Sequence, residues 1–280
     1  GQPEPYTLRD ATLADLPQIM ALYDRERARG PVAARVDQAY WRWNLAGQNP
    51  EAADGWRIFM IVDGAGRAVG YLLRARRRWG EAVRVAAMWV EPGVPLAVVL
   101  PPTLRALQAQ AADMPTFLRT DTPPPSRIMF GLERAHPVYD ALDATLAATT
   151  RPPYGWYVRV PDLPCFIRQI APALERRLAA SPVVAGYSGE LRLDFYRGGL
   201  RLAFEGGRLA AAEDWKARAL PWGPKAQAGF PPLVFLQLLF GRRSLEELRY
   251  AFPDVWAEDE GGPLLEALFP ARPSWVLPLD

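Results

Sequence analysis

The feature that most constrains the fold is the run RVAAMWVEPGVPLAVVLPPTLRALQAQAA at residues 84–112. It predicts a buried strand, a turn at residues 91–93 and an amphipathic helix from about Pro102, since proline is tolerated only in the first turn of a helix. A strand that leads into a helix N-terminus offers backbone N–H groups and a helix dipole to an anion. The run therefore indicates a mixed sheet with a candidate anion site at this turn.

The residues around this run predict further strands and helices. Thr12 with Asp15 is typical of a capping box at the start of a helix that runs to about Gly30. Hydrophobic periodicity and turn residues predict the other elements: strands over 6–11, 57–62, 69–76, 83–90, 116–120 and 154–160, and helical segments over 37–45 and 128–146.

The organisation changes after residue 160. Residues 162–180 predict one helix with an internal proline, and alternating residues on both sides of Gly198-Gly199 predict a β-hairpin. Apolar helices follow at 231–240, 244–252 and 264–269, and the apolar residues 275–277 predict a tail that docks on the protein. We therefore expect an α+β protein with two domains, residues 1–158 and 159–280.

Composition excludes several classes of function. The 280 residues carry a net charge of +2 with acids and bases mixed along the chain, which argues against a nucleic-acid binder. A single cysteine, Cys165, and a single histidine, His136, exclude an internal disulfide and multi-histidine or thiolate metal sites. The longest apolar run, residues 231–240, is shorter than a membrane helix, and the start of the chain does not have the pattern of a signal peptide. We expect a soluble cytoplasmic protein without metal, membrane or nucleic-acid partners, and a homo-oligomer is compatible with the sequence.

Several stretches resemble one family. The element order and the stretches YTLRDATLADLPQIMALY, IFMIVDGAGRAVGYLLR with the strand-centre Gly70, RVAAMWVEP and RAHPVYDALDATL are similar to the GNAT superfamily of acyl-CoA N-acyltransferases. The second half, with GELRLDFYRGGLRLAF and FPPLVFLQLLFGRRSLEELRYAFPD, resembles the sterol-carrier-like C-terminal domain of Eis-type acetyltransferases. Those relatives usually carry two GNAT domains before it, whereas this chain has room for one.

The resemblance implies acetyl transfer from acetyl-CoA to an amine of a small molecule by direct attack. It places the cofactor at the fourth strand and the next helix, over Met88, Trp89, Val90, Gly93 and Arg105. The matching segment, residues 91–107, holds one glycine and four prolines, and before Arg105 it lacks the basic residue and the spaced glycines that usually surround the pyrophosphate. A catalytically degenerate GNAT-fold protein that acts as a binding or structural module is therefore the alternative.

Three residues are candidates for catalysis by this resemblance. Tyr139 would protonate the departing thiolate, or it is a core tyrosine on an amphipathic helix. Glu91 would act as a general base, or it is a solvated carboxylate in a turn. Asp280 would reach the active site as the chain terminus does in Eis-type proteins, and it carries the weakest indication of the three.

Other side chains have a functional and a structural interpretation. Tyr40, Trp41 and Trp43 lie where the family forms the wall of the acceptor site, but aromatic residues at this spacing also form cores. The arginines of residues 74–78 indicate a solvated hairpin or, as the minor alternative, a phosphate or CoA contact. His136 before a proline indicates a surface or capping residue, and Cys165 a small buried hydrophobe.

Overall fold

The computed structural model describes residues 3–49, 51–52, 54–116, 123–146, 149–151, 157–216 and 225–277. The chain forms two compact units. The first comprises Gly1–Tyr154 together with Pro273–Asp280, and the second comprises Gly155–Arg272. Each unit contains one five-stranded mixed sheet with helices. The predicted α+β class is therefore confirmed.

The first unit is built on a sheet whose strand order follows the chain. β1 to β4 are antiparallel to their neighbours, and β5 is parallel to β4. The parallel pair needs a crossover connection, which a helix supplies. The strands are β1 (Tyr6–Asp10), β2 (Trp56–Asp63), β3 (Ala68–Ala75), β4 (Ala82–Val90) and β5 (Arg127–Phe130).

Helices cover both faces of this sheet. A 3₁₀ turn, Leu13–Asp15, precedes the first helix, and a π-helical turn, Trp43–Gly47, follows the second. Because strand side chains alternate between faces, Tyr71 and Leu73 pack with the first two helices while Leu72 packs with the other two. The helices are α1 (Leu16–Arg27), α2 (Gln38–Arg42), α3 (Leu96–Ala111) and α4 (Pro137–Ala141).

The helix predicted to start near Pro102 in fact begins at Leu96. Val98 and Val99 both donate their backbone N–H to the Pro95 carbonyl, which closes the first turn ahead of the two prolines. Pro101 and Pro102 lie inside α3 and remove two backbone donors. Burial of the apolar side of α3 against the sheet offsets this loss.

The strands and helices predicted after α3 are partly wrong. Residues 128–130 of the predicted 128–146 helix belong to β5, because their backbone pairs with β4, and within the predicted range only Pro137–Ala141 is helical. Residues 157–160 of the predicted closing strand lie in no strand, and Tyr157 is 79% exposed. Residues 117–120 and 154–156 of two predicted strands lie outside the described residues.

The second unit has its own core. The sheet has the order β10-β9-β6-β7-β8. The predicted hairpin is confirmed, since Leu191 pairs with Leu202 and both are fully buried. The strands are β6 (Gly189–Asp194), β7 (Gly199–Glu205), β8 (Arg208–Asp214), β9 (Ala228–Gly229) and β10 (Trp256–Ala257). The helices are α5 (Leu163–Ala179), α6 (Val234–Leu239), α7 (Leu245–Ala251) and α8 (Gly261–Leu268).

The end of the described chain returns to the first unit. Leu277 is fully buried in the core beneath α1, and the Trp275 ring packs on Tyr23 at 6.2 Å between centroids. Val32 donates its backbone N–H to the Ser274 hydroxyl at 3.1 Å. The prediction that this tail docks is confirmed. No helix among the described residues is long and apolar enough to cross a membrane.

Gly70 permits the close pairing of β3 with β4. A Cβ at this position would press on the Trp89 carbonyl oxygen and lie 2.9 Å from Val90 Cγ1. We expect Gly70→Ala to lower the free energy of unfolding by about 2 kcal/mol, measured by denaturant titration. Gly64→Ala is the control, because a Cβ there meets nothing within 4 Å. Equal stability of the two variants would contradict this account.

Candidate active site

Strands β4 and β5 separate at their carboxyl ends. They pair from Ala82 with Arg127 to Val85 with Phe130, and Gly131 donates a last hydrogen bond to the Val85 carbonyl at 2.8 Å. On its other edge β4 pairs with β3, and the register of that pair shifts by one residue between Leu73 and Arg74. Beyond this point, in the described part of the chain, β4 has no strand partner on the β5 side. This leaves the edge of residues 87–90 accessible to side chains from α4 and the turn before it.

Glu26 is a carboxyl group buried beside this edge. It continues the apolar stripe of α1 after Ile19 and Tyr23, and it is only 5% exposed. Its Oε2 accepts a hydrogen bond of 2.9 Å from the hydroxyl of Tyr71, which is fully buried on β3. Burial raises the pKa of Glu26 to about 8, because the carboxylate loses its hydration, and the bond from Tyr71 offsets part of the rise.

A small cleft opens next to this carboxyl. Its volume of about 10 Å³ is room for about one water molecule. Glu26 Oε1 and Trp89 Nε1 lie near each other here, and neither meets hydrogen-bond geometry with any described residue. A group that accepts one hydrogen bond and donates another, such as a water molecule, would satisfy both atoms. The cleft is lined by Glu26, Arg27, Arg29, Gly30, Val32, Trp89, Glu133 and Trp275.

Arg29 and Glu133 set the charge around the cleft. The Arg29 guanidinium lies 4.9 Å from the centre of the Trp89 ring. Its positive charge lowers the pKa of both Glu26 and Glu133, whereas burial raises the pKa of Glu133, which is 8% exposed. The negative charge of Glu133 raises the pKa of Glu26. The cleft thus favours a neutral Glu26 at neutral pH.

His136 fills the space between the separated strands. Its ring lies 4.4 Å from the Trp89 ring and is 2% exposed. Its Nδ1 accepts a hydrogen bond from the backbone of Val138, so the predicted capping role is confirmed, and the residue is buried rather than on the surface. Burial lowers the pKa of His136 to about 4. It therefore stays neutral at physiological pH.

Tyr139 lies on α4 near His136, with the two rings 6.5 Å apart. Its hydroxyl is 3.4 Å from the carbonyl oxygens of Phe130 and Leu132, which are long contacts, and the residue is 37% exposed. Partial burial raises the pKa of its hydroxyl. The hydroxyl therefore keeps its proton at neutral pH and lies at the mouth of the strand separation.

The turn that follows β4 offers few groups to a phosphate. Gly93 has a φ of +88°, and Pro95 caps α3 without a side-chain hydrogen bond. The first-turn amides of an α-helix lack intrahelical acceptors, which leaves Leu96 and Ala97 as donors at this end. Met88 faces the α3 side of the sheet in the core and Val90 packs with the same cluster.

Arg105 is held away from this turn. It forms a two-pronged ion pair with Glu4, with both distances 2.8 Å. At a rise of about 1.5 Å per residue, it lies roughly 14 Å along α3 from Leu96. The structure does not bring Arg105 to the cofactor turn.

The two predicted carboxylates fall at different places. Glu91 follows β4 and accepts hydrogen bonds from Gln18 at 3.2 Å and from Arg67 at 2.7 Å. These contacts tie it to α1 and the β2–β3 turn, and it does not line the cleft at Glu26. Asp280 lies outside the described residues.

The aromatic residues of α2 divide between core and surface. Trp41 is 1% exposed and makes edge-on contacts with Tyr23, Tyr40 and Tyr71. Trp43 is 50% exposed on the π-helical turn. Trp41 therefore acts in the core behind the Glu26–Tyr71 pair.

Sequence reasoning missed Glu26, Tyr71 and Glu133. A carboxylate on the apolar stripe of α1 was the available signal for Glu26, because charged residues are seldom buried there without a partner. The expectation of solvated arginines over residues 74–78 is wrong for two of them: Arg74 is 3% exposed and Arg78 is 9% exposed. Arg74 donates a hydrogen bond to the Gln110 side chain, and Arg78 donates one to the Gly80 carbonyl.

The described residues contain no group of three or more histidine, cysteine, aspartate or glutamate side chains that could hold a metal ion.

Comparison with known proteins supports a likeness of fold. No protein-family model matches the chain, and no curated protein matches its sequence. A crystal structure of a conserved protein from Enterococcus faecalis V583, described as a probable N-acyltransferase, aligns over 99% of this chain with a TM-score of 0.57 and 13% identity. This chain spans 62% of that protein's length. At this identity the similarity shows that the two proteins share a fold.

A second solved structure, the ribosomal-protein-alanine N-acetyltransferase of Brucella melitensis biovar Abortus 2308, aligns over 55% of this chain and 99% of its own. Its TM-score is 0.39 at 13% identity, which is too distant to support any conclusion about this chain. The Eis-like arrangement and the sterol-carrier-like character of the second unit stay predictions.

The buried Glu26 makes stability depend on pH. Its folded pKa of about 8 lies above its unfolded value, so its contribution is fully present below the unfolded pKa and is lost as pH rises to about 8. Between pH 6.5 and 7.5 the free energy of unfolding should fall by about 1 kcal/mol more than in Glu26→Gln. His136, with its lowered pKa, affects stability only at lower pH: the free energy of unfolding falls as pH decreases from 6.5 to about 4.

Denaturant titrations at several pH values measure this difference. Glu246→Gln is the matched control, because Glu246 is exposed on α7. Parallel pH profiles of the parent protein and Glu26→Gln would contradict a raised pKa for Glu26.

Proposed function

We propose that this protein is an acyltransferase of the GNAT type, which transfers an acetyl group from acetyl-CoA to the amine of a small molecule by direct attack. The observation that carries the proposal is the Glu26–Tyr71 pair, buried against β4 where β4 and β5 separate. A carboxyl group buried in this position makes the fold less stable at pH values above the pKa that the group has in the unfolded chain. A role in proton transfer accounts for the presence of such a group.

Glu26 is the proposed general base. A general base works best when its pKa is near the operating pH. The pKa of Glu26, about 8, is also closer to the pKa of an ammonium group than the pKa of an ordinary carboxyl group is. The cleft has room for about one water molecule, which would link Glu26 Oε1 to an amine at the cleft mouth and pass on the amine proton, so that the amine lone pair stays free to attack the thioester. The carboxylate takes up the proton that the amine loses on forming the amide.

Tyr139 and the edge of β4 would serve the acyl donor. When bound, acetyl-CoA supplies the acetyl group as a thioester. The unpaired edge of β4 over residues 87–90 offers backbone donors to a carbonyl oxygen. The protonated Tyr139 hydroxyl at the mouth of the separation can give its proton to a leaving thiolate.

The residues fit the thioester end of acetyl-CoA better than its pyrophosphate. Gly93 and the first-turn amides of α3 form a small anion cradle. Each missing charge-assisted hydrogen bond removes roughly 1.5–3 kcal/mol, and Arg105 is engaged by Glu4. We therefore propose acetyl-CoA binding that is weaker than a glycine-rich loop provides.

A catalytically degenerate binding or structural module is the second candidate function. The loop of residues 91–95 favours it, because two prolines there remove backbone donors. His136 and Trp89 also occupy the space between the separated strands. For the second unit we keep the sterol-carrier-like assignment as a structural role, and we propose a cytoplasmic location with a small-molecule amine as the partner.

Calorimetric titration of the full chain with acetyl-CoA separates the two candidates. The acyltransferase proposal predicts saturable binding and thiol release with a panel of small amines. Glu26→Gln should slow thiol release by about 100-fold with acetyl-CoA affinity unchanged, and the parent rate should rise with pH to a plateau above about 8. Tyr139→Phe tests in the same assay whether the Tyr139 hydroxyl protonates the leaving thiolate.

Glu246→Gln is the control for loss of one carboxylate. No heat and no thermal shift at millimolar acetyl-CoA would reject the acyltransferase and favour the binding module. Binding with an unchanged rate in Glu26→Gln would remove Glu26 from the mechanism.

A further inference from the structure

A second, larger pocket lies in the first unit at the opposite end of the sheet from the turn after β4. Its volume is about 570 Å³, within the range of small-molecule sites. It is formed by the end of β1, the start of β2, the end of β3, the C-terminal end of α3 and the π-helical turn. Its described lining is Asp10, Ala11, Asn44, Leu45, Trp56, Arg57, Ile58, Arg74, Arg76, Arg77, Gln110, Asp113, Met114 and Pro115.

Arginine dominates the polar lining of this pocket. Arg57, Arg74, Arg76 and Arg77 face two carboxylates, Asp10 and Asp113. Asp10 is already engaged by Arg57 through two hydrogen bonds of 2.7 Å. The lining therefore carries an excess of positive charge.

The other three arginines bind neutral oxygens among the described residues. Arg76 donates to the side chain of Gln48 at 2.9 Å and to the Trp56 carbonyl at 3.2 Å. Arg77 donates to two backbone carbonyls, at residues 51 and 52. Arg74 donates to Gln110 at 3.0 Å. None of these three guanidinium groups forms an ion pair of 4 Å or less with a described carboxylate.

Arg74 is the most constrained of the four. It is 3% exposed, and its Nε has no hydrogen-bond partner in the described part of the chain. Its guanidinium and that of Arg57 each lie 5.3 Å from the centre of the buried Phe59 ring. Burial and the nearby charge of Arg57 lower the pKa of Arg74 to about 10, and the negative charge of Asp10, which is bound to Arg57, offsets only part of this. A buried cation with only a shared counter-charge is unfavourable, and an anionic ligand would reduce this penalty.

We propose that this arginine pocket binds a small organic phosphate monoester. Such a group carries close to two negative charges at pH 7, which matches four arginines against two aspartates. Arginine's planar fork suits phosphate oxygens. Leu45, Ile58 and Met114 supply an apolar wall for the organic part. The site is separate from the cleft at Glu26, since no residue lines both.

Calorimetry with phenyl phosphate, inorganic phosphate and malonate at equal ionic strength tests the proposal on the full chain. We expect saturable binding of phenyl phosphate at one site per chain, at least tenfold tighter than malonate. Arg74→Gln should weaken it at least tenfold. Arg77→Gln, on a less buried arginine, should weaken it as well and serves if Arg74→Gln does not fold. Arg249→Gln, on the exposed side of α7, is the charge-matched control and should bind like the parent.

Three results would overturn the proposal: no saturable binding of either phosphate, malonate binding as tightly as phenyl phosphate, or equal loss of affinity in Arg74→Gln and Arg249→Gln. Phenyl phosphate titration of Glu26→Gln keeps this outcome apart from the proposed acyl transfer: its affinity should equal that of the parent, because Glu26 does not line the arginine pocket.

Discussion

The hydrogen bond from Tyr71 to Glu26 joins the helical layer to the centre of the sheet. It lies behind Trp41, Tyr23 and the docked Trp275, so water has little access to it. Because the pair is buried, the carboxyl holds its proton at neutral pH and the layer can pack without a charge in its core. The same burial gives the group a pKa suited to proton exchange with an amine.

The two ends of the first sheet differ in charge. At the carboxyl end of β4, two glutamates, two arginines and two indole rings border a cleft with room for about one water molecule. At the other end, arginines border a pocket of about 570 Å³. The turn after β4 has few hydrogen-bond donors for an anion, while four arginines lie at the far end of the sheet. The proposed acyl transfer and the proposed phosphate binding therefore fall at different ends of the sheet.

Much of the fold follows from local patterns in the sequence. The β2–β3 hairpin and the β6–β7 hairpin have turn residues and alternation that fix their register, and both form as predicted. The start of α3 could not be predicted, because burial of its apolar side outweighs two internal prolines. β5 was missed since four residues of alternation are too short to outweigh a helical pattern, and its pairing with β4 is non-local.

The candidate site was less predictable than the fold. Family resemblance indicated Tyr139 and β4, both of which lie at the strand separation. Glu26 could not be assigned, since its environment comes from β3, β4 and the tail, all distant in sequence. Arg74 was placed in solvent because a run of arginines is usually exposed, and only the packing of α3 through Gln110 reveals its burial.

Carbon-13 NMR titration of the Glu26 side-chain carboxyl tests the central claim most directly, with Glu26→Gln used to assign the signal. The account predicts a midpoint near pH 8, because burial raises the pKa and the Tyr71 hydroxyl only partly offsets it. A midpoint at the ordinary glutamate value of about 4.3 would show a charged, hydrated carboxylate and would contradict the buried base.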